Sequence, residues 1–562
     1  MLPSSIAIIA SLISSLFAPT ISFAPENNVV AAIVPHHLPT AQAIVTDIFA
    51  ELGKETPGTI VLVSPDHWGI ASSNFTTVAD DHFQGIAIDT TLRSQLIAQM
   101  PEYTVSMNDT QISKEHGITA LLSTIKHYSP ESKLLPLVIS IPTTEESLDN
   151  LARILTKFDH IAAVASTDFS HYLPSQAADL HDLTSLSTIF SFTKENFSRL
   201  EVDCWQCLYL VHAIADQKDA HDLELRHHTN SAKITNSEHL APEVTSYVGM
   251  LMRKGQKPTT FDLPITMIAV GDIMLDRYVE SLILKHGKDY PLKNIRQLLH
   301  GFDIVMGNLE GPVIAKRKQT PHNSLNFSFA PQLLSVLEQY GFTIFTIANN
   351  HTHDHGKEGF QETQEHIHDA GLESVGSPVE VNEHFVVSKE IKGKTITFLG
   401  FNATSPLFSE ESALQLIDTV NANKNSLLLV NIHWGEEYQL KHNTRQQSLA
   451  HKFIDHGVDG IIGHHPHVVQ PIEIYQGKAI FYSLGNFIFD QYFSTNTQEE
   501  LAVGLTIYQD SIQYSLFPLI SKKSQPELMT PEKAKQFLSN LAKRSTPELG
   551  KAIESAMIET KL

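Results

Sequence analysis

Two α/β domains in one chain are predicted by three features of the sequence. Strand-like apolar runs alternate with helix-periodic segments along both halves. Each half opens on a buried-strand pattern, at 29–34 (VVAAIV) and at 265–270 (ITMIAV). Between the halves, Gly255-Gln256-Lys257-Pro258-Thr259-Thr260 is polar and carries a proline, as a linker does. A length of 562 residues suits two large domains.

The elements follow in order. The runs at 59–63 (TIVLV), 161–165 (IAAVA), 427–432 (LLLVNI) and 480–484 (IFYSL) are continuous in apolar character, the mark of strands buried on both faces. Periodic segments at 40–52, 331–340 and 445–455 read as helices. After Ile520, Thr530-Pro531-Glu532 and Thr546-Pro547-Glu548 each set a cap residue, a first-turn proline and an acid in sequence, predicting two closing helices. The expected organisation is a leader at 1–24, a first domain at 25–254, a linker at 255–264, a second domain at 265–520 and a helical tail at 521–562.

Residues 1–24 hold no charged side chain, an apolar core at 6–18 and a small-x-small end, Ser22-Phe23-Ala24. This reads as a signal peptide or membrane anchor, placing the protein in the cell envelope and touching the membrane only through that segment. Apolar residues at 42% and charged residues at 18% exclude a disordered or collagen-like chain. A formal net charge of −22 repels phosphate backbones, so nucleic acid is not an expected partner. Two cysteines cannot staple a chain of this length, whereas 30 histidines are a large supply of the commonest metal ligand.

In the first half, polar clusters follow apolar strands at Pro35-His36-His37, Ser64-Pro65-Asp66-His67 and 166–171 (STDFSH); Glu115-His116 leads into a helix. Ligands in open α/β sheets sit beyond the carboxyl ends of strands, where these clusters can converge on a metal or an acid–base site. Ordinary helix caps would look the same one at a time. Cys204-Trp205-Gln206-Cys207 reads as a redox pair, half a zinc site, or two buried helix cysteines.

These motifs, with Glu115-His116-Gly117, Leu135-Pro136-Leu137-Val138 and Ser246-Tyr247-Val248-Gly249, resemble the Memo family, also called AmmeMemoRadiSam system protein B. That family is related in fold to class III extradiol dioxygenases. The resemblance implies a pocket of His36, His67, Asp168, His171 and Cys204 holding Fe or Cu. Where the family has Cys-Gly, this chain has Cys204-Trp205.

In the second half five strand-like runs end in Gly271-Asp272-Ile273-Met274, Gly307-Asn308-Leu309-Glu310, Asn349-Asn350-His351, His433-Trp434-Gly435 and Gly463-His464-His465-Pro466-His467. Carboxylate, amide and imidazole donors at five strand ends suit Mn, Fe or Zn. Two such ions can clamp the attacking and leaving oxygens of a phosphoryl transfer. His353, His355 and His464 carry no assigned role and read as surface residues. His465 and His467, two apart, are expected to point the same way from extended backbone.

This half, with Ser483-Leu484-Gly485-Asn486-Phe487 and 431–438 (NIHWGEEY), resembles the CapA family of poly-γ-glutamate capsule biosynthesis proteins. The resemblance implies a calcineurin-like α/β/β/α sandwich with metal ligands Asp272, Glu310, Asn350, His433, His465 and His467. It also implies His351 as the acid that protonates the leaving oxygen. Two positions depart from the general phosphoesterase pattern: Met274 stands for an imidazole and Glu310 for an aspartate. The expected activity is hydrolysis of a phosphoester, or of an amide in a cell-surface polymer, alone or within a capsule synthase complex. The alternative is a non-catalytic envelope accessory with remnant metal sites.

Overall fold

The computed structural model describes residues 29–101, 104–191, 196–237, 243–256, 263–422 and 426–562. The expected leader at 1–24 and the centre of the expected linker lie outside the described residues. The chain divides into two units, Met1–Leu263 and Pro264–Leu562.

The first unit is built on one mixed sheet. Its strands are β1 (Val29–Val34), β2 (Thr59–Pro65), β3 (Phe75–Thr77), β4 (Val105–Met107), β5 (Lys133–Ile139), β6 (Ile161–Ser166), β7 (Asp222–Asn230) and β8 (Val244–Arg253), in the spatial order β7-β8-β1-β6-β2-β5-β3-β4. The central strands β1, β6, β2 and β5 run parallel. Their carboxyl ends therefore open on one edge, which carries His36, His67 and Asp168. Along β2 the side chains alternate between two cores: Ile60 and Leu62 pack on α1 (Gln42–Lys54), while Val61 and Val63 face α2 (Glu145–Leu155) and α4 (Trp205–Gln217). Burial on both faces is why this strand is apolar throughout instead of alternating. Helix α2 starts where the Thr144 side chain accepts from Ser147 N, has Glu145 and Glu146 in its first turn, and buries Leu148, Leu151, Ala152 and Leu155 on one stripe. A further helix, α3 (Ser175–Ser191), is buried along most of its length.

The second unit has two sheets. The first runs β12 (Glu373–Val375), β11 (Ile344–Thr346), β10 (Ile304–Leu309), β9 (Ile265–Ile273), β20 (Glu499–Ile507), β21 (Ser511–Lys522), β22 (Gln525–Leu528), with β19 (Asn486–Ile488) joined to β9. The second runs β13 (Val387–Ile391), β14 (Lys394–Asn402), β15 (Ser426–His433), β16 (Gly460–His464), β18 (Lys478–Phe481), β17 (Ile472–Tyr475). The sheets face each other across one shared core, with Met267, Met306 and Val503 from the first against Phe398, Leu429 and Phe481 from the second. Leu428, Val430 and Ile432, on the far side of β15, pack beneath α5 (Glu410–Asn421) and α6 (Thr444–Asp455). A capping box between Asn443 and Gln446 sets the start of α6.

Gly271 is required where β9 meets the segment leading into β19. A Cβ there would lie 2.1 Å from the Gly485 carbonyl oxygen, so any side chain would push the strands apart at the motif that carries Asp272.

The closing segment differs from a helical tail. Helix α7 (Pro531–Arg544) and the short helix Gly550–Glu554 form as expected, but the chain then returns as β23 (Met557–Lys561), antiparallel to β21. Ile558 alternates inward along this strand and joins the shared core, which ties 521–562 into the second unit. A five-residue strand with one buried apolar residue is too weak a pattern to stand out in sequence.

Candidate metal centres

At the strand-end edge of the first unit, His36 and His67 come together with ring centroids 4.9 Å apart. His36 follows β1 and is buried; its backbone N–H donates to Asp168 Oδ1 at 3.1 Å. His36 Nε2 lies 3.6 Å from Asp168 Oδ2 and 3.1 Å from Asp203 Oδ2. His67 Nε2 lies 3.6 Å from the same Asp203 oxygen. Ligand atoms of His36, His67 and His116 fall within 4.8 Å of one another, as do those of His36, Asp168 and Asp203.

Electrostatics follow from this crowding. Burial alone would lower His36, but the Asp203 carboxylate outweighs it and raises the imidazole. For His67 burial is likewise overcome, here by Asp203 and Glu115, and the ring is pushed up to about 9. Asp203 is held below the usual carboxylate range, burial being overcome by His36. Burial and the neighbouring His67 lower His116. A buried edge whose carboxylates stabilise charged imidazoles has the electrostatics of a cation site, and a metal would bind there as the rings release those protons.

One expectation is corrected. Cys204 is not a free ligand: its sulfur is bonded to Cys207, and both side chains are buried in the core beneath α4. A thiol three residues from another at a helix start is geometrically able to close this bond, which consumes the thiolate a metal would need. His171, on the short strand His171–Leu173, acts electrostatically on Asp168 and Asp203 but is absent from both groups of converging ligand atoms. Asp203 and His116 stand where the sequence reading placed neither. Glu115-His116 had been visible as a polar cluster, and Asp203 was hidden beside the more conspicuous cysteine.

In the second unit the expected residues do converge. Asp272 on β9, Glu310 just beyond β10 and His433 at the end of β15 bring ligand atoms within 4.8 Å of one another; Glu437, His465 and His467 form a second such group. The groups are joined, because His467 Nδ1 is 3.0 Å from Asp272 Oδ2 and its Nε2 is 3.6 Å from Glu310 Oε1. His433 and His465 have ring centroids 4.7 Å apart. Asn350 Oδ1 lies 2.8 Å from His433 Nε2. Asn308 donates to Asp272 Oδ1 at 2.8 Å and to Glu310 Oε2 at 3.2 Å, spacing the two carboxylates. The buried Glu310 Oε1 has no hydrogen-bond donor, which is the condition of an oxygen facing a cation site.

Burial would raise Asp272, but His464 and His467 pull it well below its ordinary value. Burial drives Glu310 well above its own. Burial also holds His433 well below its usual value and His465 at about 4, so both imidazoles are neutral near neutrality, the form that can bind a cation. His467 is the exception: Glu310 and Asp272 overcome burial and raise it to about 9.

His351 Nδ1 is 3.0 Å from Asp354 Oδ2, which also accepts from Phe327 N at 2.7 Å. The Phe327 ring lies 4.2 Å from the imidazole. Asp354 therefore fixes the ring's orientation and leaves Nε2 as its working atom.

Three details were misjudged from sequence. His464 is buried, not a surface residue, with Nδ1 3.3 Å from Asp272 Oδ1; His353 is partly covered, whereas His355 is exposed as expected. His465 and His467 do not lie on extended backbone: their φ values are +96° and +55°, so a turn and not a strand aims them. Asn308, Glu437, Asp354 and Asn486 were not assigned, although Asn308, Glu437 and Asn486 lie inside motifs already singled out. Met274, in place of the usual imidazole, accepts from Asp276 N through its sulfur.

Comparison with known proteins matches each unit to a family. Residues 266–491 match the family model "Bacterial capsule synthesis protein PGA_cap", and residues 7–250 match "Memo-like protein". The chain joins a Memo-like domain to a CapA-family capsule biosynthesis domain. The CapA-family domain is similar to the capsule biosynthesis protein CapA of Bacillus anthracis, 35% identical over 251 residues, covering 40% of this chain and 60% of that protein. It is also similar to the PGA biosynthesis protein CapA of Bacillus subtilis (strain 168), 34% identical over 237 residues, covering 40% of this chain and 62% of that protein. A MEMO1 family protein of Caldivirga maquilingensis is 23% identical over 178 residues, covering 30% of this chain and 62% of that protein. This chain thus spans about three fifths of the length of the curated relatives it matches.

Proposed function

We propose that the CapA-family domain is a metal-dependent hydrolase acting on a phosphoester, or on an amide, of a cell-surface polymer. The observation that carries this reading is the buried, donorless Glu310 Oε1 within a ring of carboxylates and imidazoles, beside an oriented His351–Asp354 pair. A divalent cation held by Asp272, Glu310, His433, His465 and His467 would supply Lewis-acid polarisation of a substrate oxygen.

The chain's own residues supply the rest. Asn308 keeps Asp272 and Glu310 apart and turned inward. Asp354 accepts from His351 Nδ1–H and Phe327 limits the ring's rotation, so a proton on Nε2 is delivered to the leaving oxygen along one direction. Because the chain carries a net charge of −22, a polyanionic polymer would approach with its own counter-cations. The names of the relatives and the apolar segment at 1–24 support a place in the cell envelope, with the capsule-synthesis machinery as partner. Among the described residues no helix is long and apolar enough to cross a membrane.

A second reading is a non-catalytic accessory that binds polymer through a remnant site. Met274 favours it, since its sulfur is turned onto the backbone and supplies no ligand. Assay of phosphodiester and γ-glutamyl amide hydrolysis with added Mn²⁺ separates the two. Turnover that requires the metal and disappears in His433→Ala supports the hydrolase. Metal binding without turnover of either substrate class favours the accessory.

A further inference from the structure

We propose that the first unit holds its metal through His36, His67 and Asp203, a two-histidine, one-carboxylate set suited to ferrous iron, with Asp203 in the place where a cysteine was expected. The assignment follows from where the hydrogens go. Ser166 Oγ has one proton and donates it to the Gly117 carbonyl at 2.6 Å, so it can only accept from His36 Nδ1, 3.1 Å away. His36 Nε2 is then the nitrogen left for the pocket. His67 Nδ1 donates to Glu115 Oε1 at 2.5 Å, which leaves His67 Nε2 for the pocket as well. Both nitrogens converge on one buried oxygen, Asp203 Oδ2, at 3.1 Å and 3.6 Å, while Thr167 Oγ1 is bound to Oδ1. Ring protons pair with that oxygen when no cation is bound; a divalent cation that displaces them meets three ligand atoms around one point.

Asp168 is the weaker candidate for the carboxylate. Its Oδ1 is engaged by the His36 backbone N–H, and its Oδ2 lies farther from His36 Nε2 than Asp203 Oδ2 does, 3.6 Å against 3.1 Å. Ser166 and Glu115 act on the far nitrogens, as partners that orient ligating imidazoles do. Gly117 completes the arrangement: a Cβ there would come within 2.2 Å of Ser64 Oγ and 3.3 Å of His36 Nδ1. Two imidazoles and a carboxylate on one side, with other positions open, are the ligand set of ferrous non-haem sites; a thiolate-dependent Cu(I) site would need the sulfur that Cys207 holds.

The test uses the full chain with the second unit's site disabled by Asp272→Asn and His433→Ala, so that bound metal reports the first unit. Anaerobic titration with Co²⁺ and with Fe²⁺ is followed by absorption and by metal-to-protein ratio. One equivalent should bind, with cobalt d–d bands and no thiolate-to-cobalt charge-transfer band. Cys204→Ser/Cys207→Ser should bind equally well. Asp203→Asn should weaken binding by no less than the ~10–100-fold that loss of a mere orienting partner costs. A charge-transfer band, loss of metal in the serine pair, or unchanged affinity in Asp203→Asn would overturn the assignment, as would failure of the parent to bind either ion. If Asp203→Asn does not fold, the absorption of the parent and the serine pair still decides between oxygen and sulfur.

Discussion

Asp272 Oδ2 and His467 Nδ1 lie 3.0 Å apart although 195 residues separate them in sequence. This contact joins the two sheets of the second unit at the point where their strand ends meet, and His433 and Glu310 complete the ring around it. Asp272→Asn preserves shape and removes the charge that the surrounding imidazoles hold ionised. Asp272→Asn and His433→Ala should therefore lose bound divalent metal and hydrolysis together. Elemental analysis beside a rate measurement checks this, and retained metal in both variants would remove these residues from the ligand set.

His351 should behave differently. It is oriented by Asp354 and not by the carboxylates of the metal cluster. His351→Ala is expected to lower the hydrolytic rate on the order of 10²-fold or more, while metal content stays near the parent value. Equal loss of metal would make it a ligand and not an acid.

Asp354→Asn tests the same pair from the other side. Nδ1 and Phe327 N meet the same oxygen, Oδ2, so the amide keeps its oxygen there to hold Phe327 N–H but no longer supplies the negative charge that supports a protonated His351. The rate should fall at least ~10-fold, as for a lost orienting partner, and its pH profile should shift with it. An unchanged profile would leave Asp354 a purely structural loop residue.

In the first unit, Asp47 on α1 receives Arg226 Nε at 2.6 Å and Nη2 at 2.9 Å, with His227 Nε2 at 2.8 Å. The Arg226 hydrogen bonds, opposed by burial and aided by His227, lower its pKa from 3.8 to about 2. A depressed carboxylate stabilises the fold above its unfolded value and loses that contribution as pH falls through the folded one. Solvent reaches this pair, so the gain is about 1 kcal/mol. Asp47→Asn should lower the unfolding free energy by that amount at pH 6, with the difference from the parent vanishing between about pH 4 and 2. Denaturant titrations across that range check the sign; a difference that grows on acidification would refute it.

Reduction of the Cys204–Cys207 bond should cost little. The cysteines are three residues apart, so loop-closure entropy limits the effect to about 2 kcal/mol. Thermal unfolding with and without a phosphine reductant measures it, and first-unit metal content should not change.

Legibility from sequence divides along physical lines. Strands buried on both faces are legible because each residue must be apolar whatever the partner is, as in β2 and β15. Helix starts with a local cap, such as Thr144 and Asn443, are legible because the signal lies within four residues. The donors Asp272, Glu310, His433, His465 and His467 could be named because strand ends of parallel sheets share an edge. Their pairing could not, since the Asp272–His467 contact depends on a turn with positive φ at both His465 and His467. Long-range neighbours were equally hidden. His464 looks like any loop histidine until β16 places it against Asp272, and Asp203 looks like a cap residue until β1 and β2 bring two imidazoles to it. The fate of Cys204 was open for the same reason. A Cys-x-x-Cys spacing permits a ligand, a redox pair or two core residues, and only the close of the helix start on Cys207 chose among them. Composition and periodicity determined that this chain makes two α/β layers with donors at their edges. Tertiary packing decided which donors share a point in space, because desolvation and pairing of polar atoms depend on neighbours that no local pattern records.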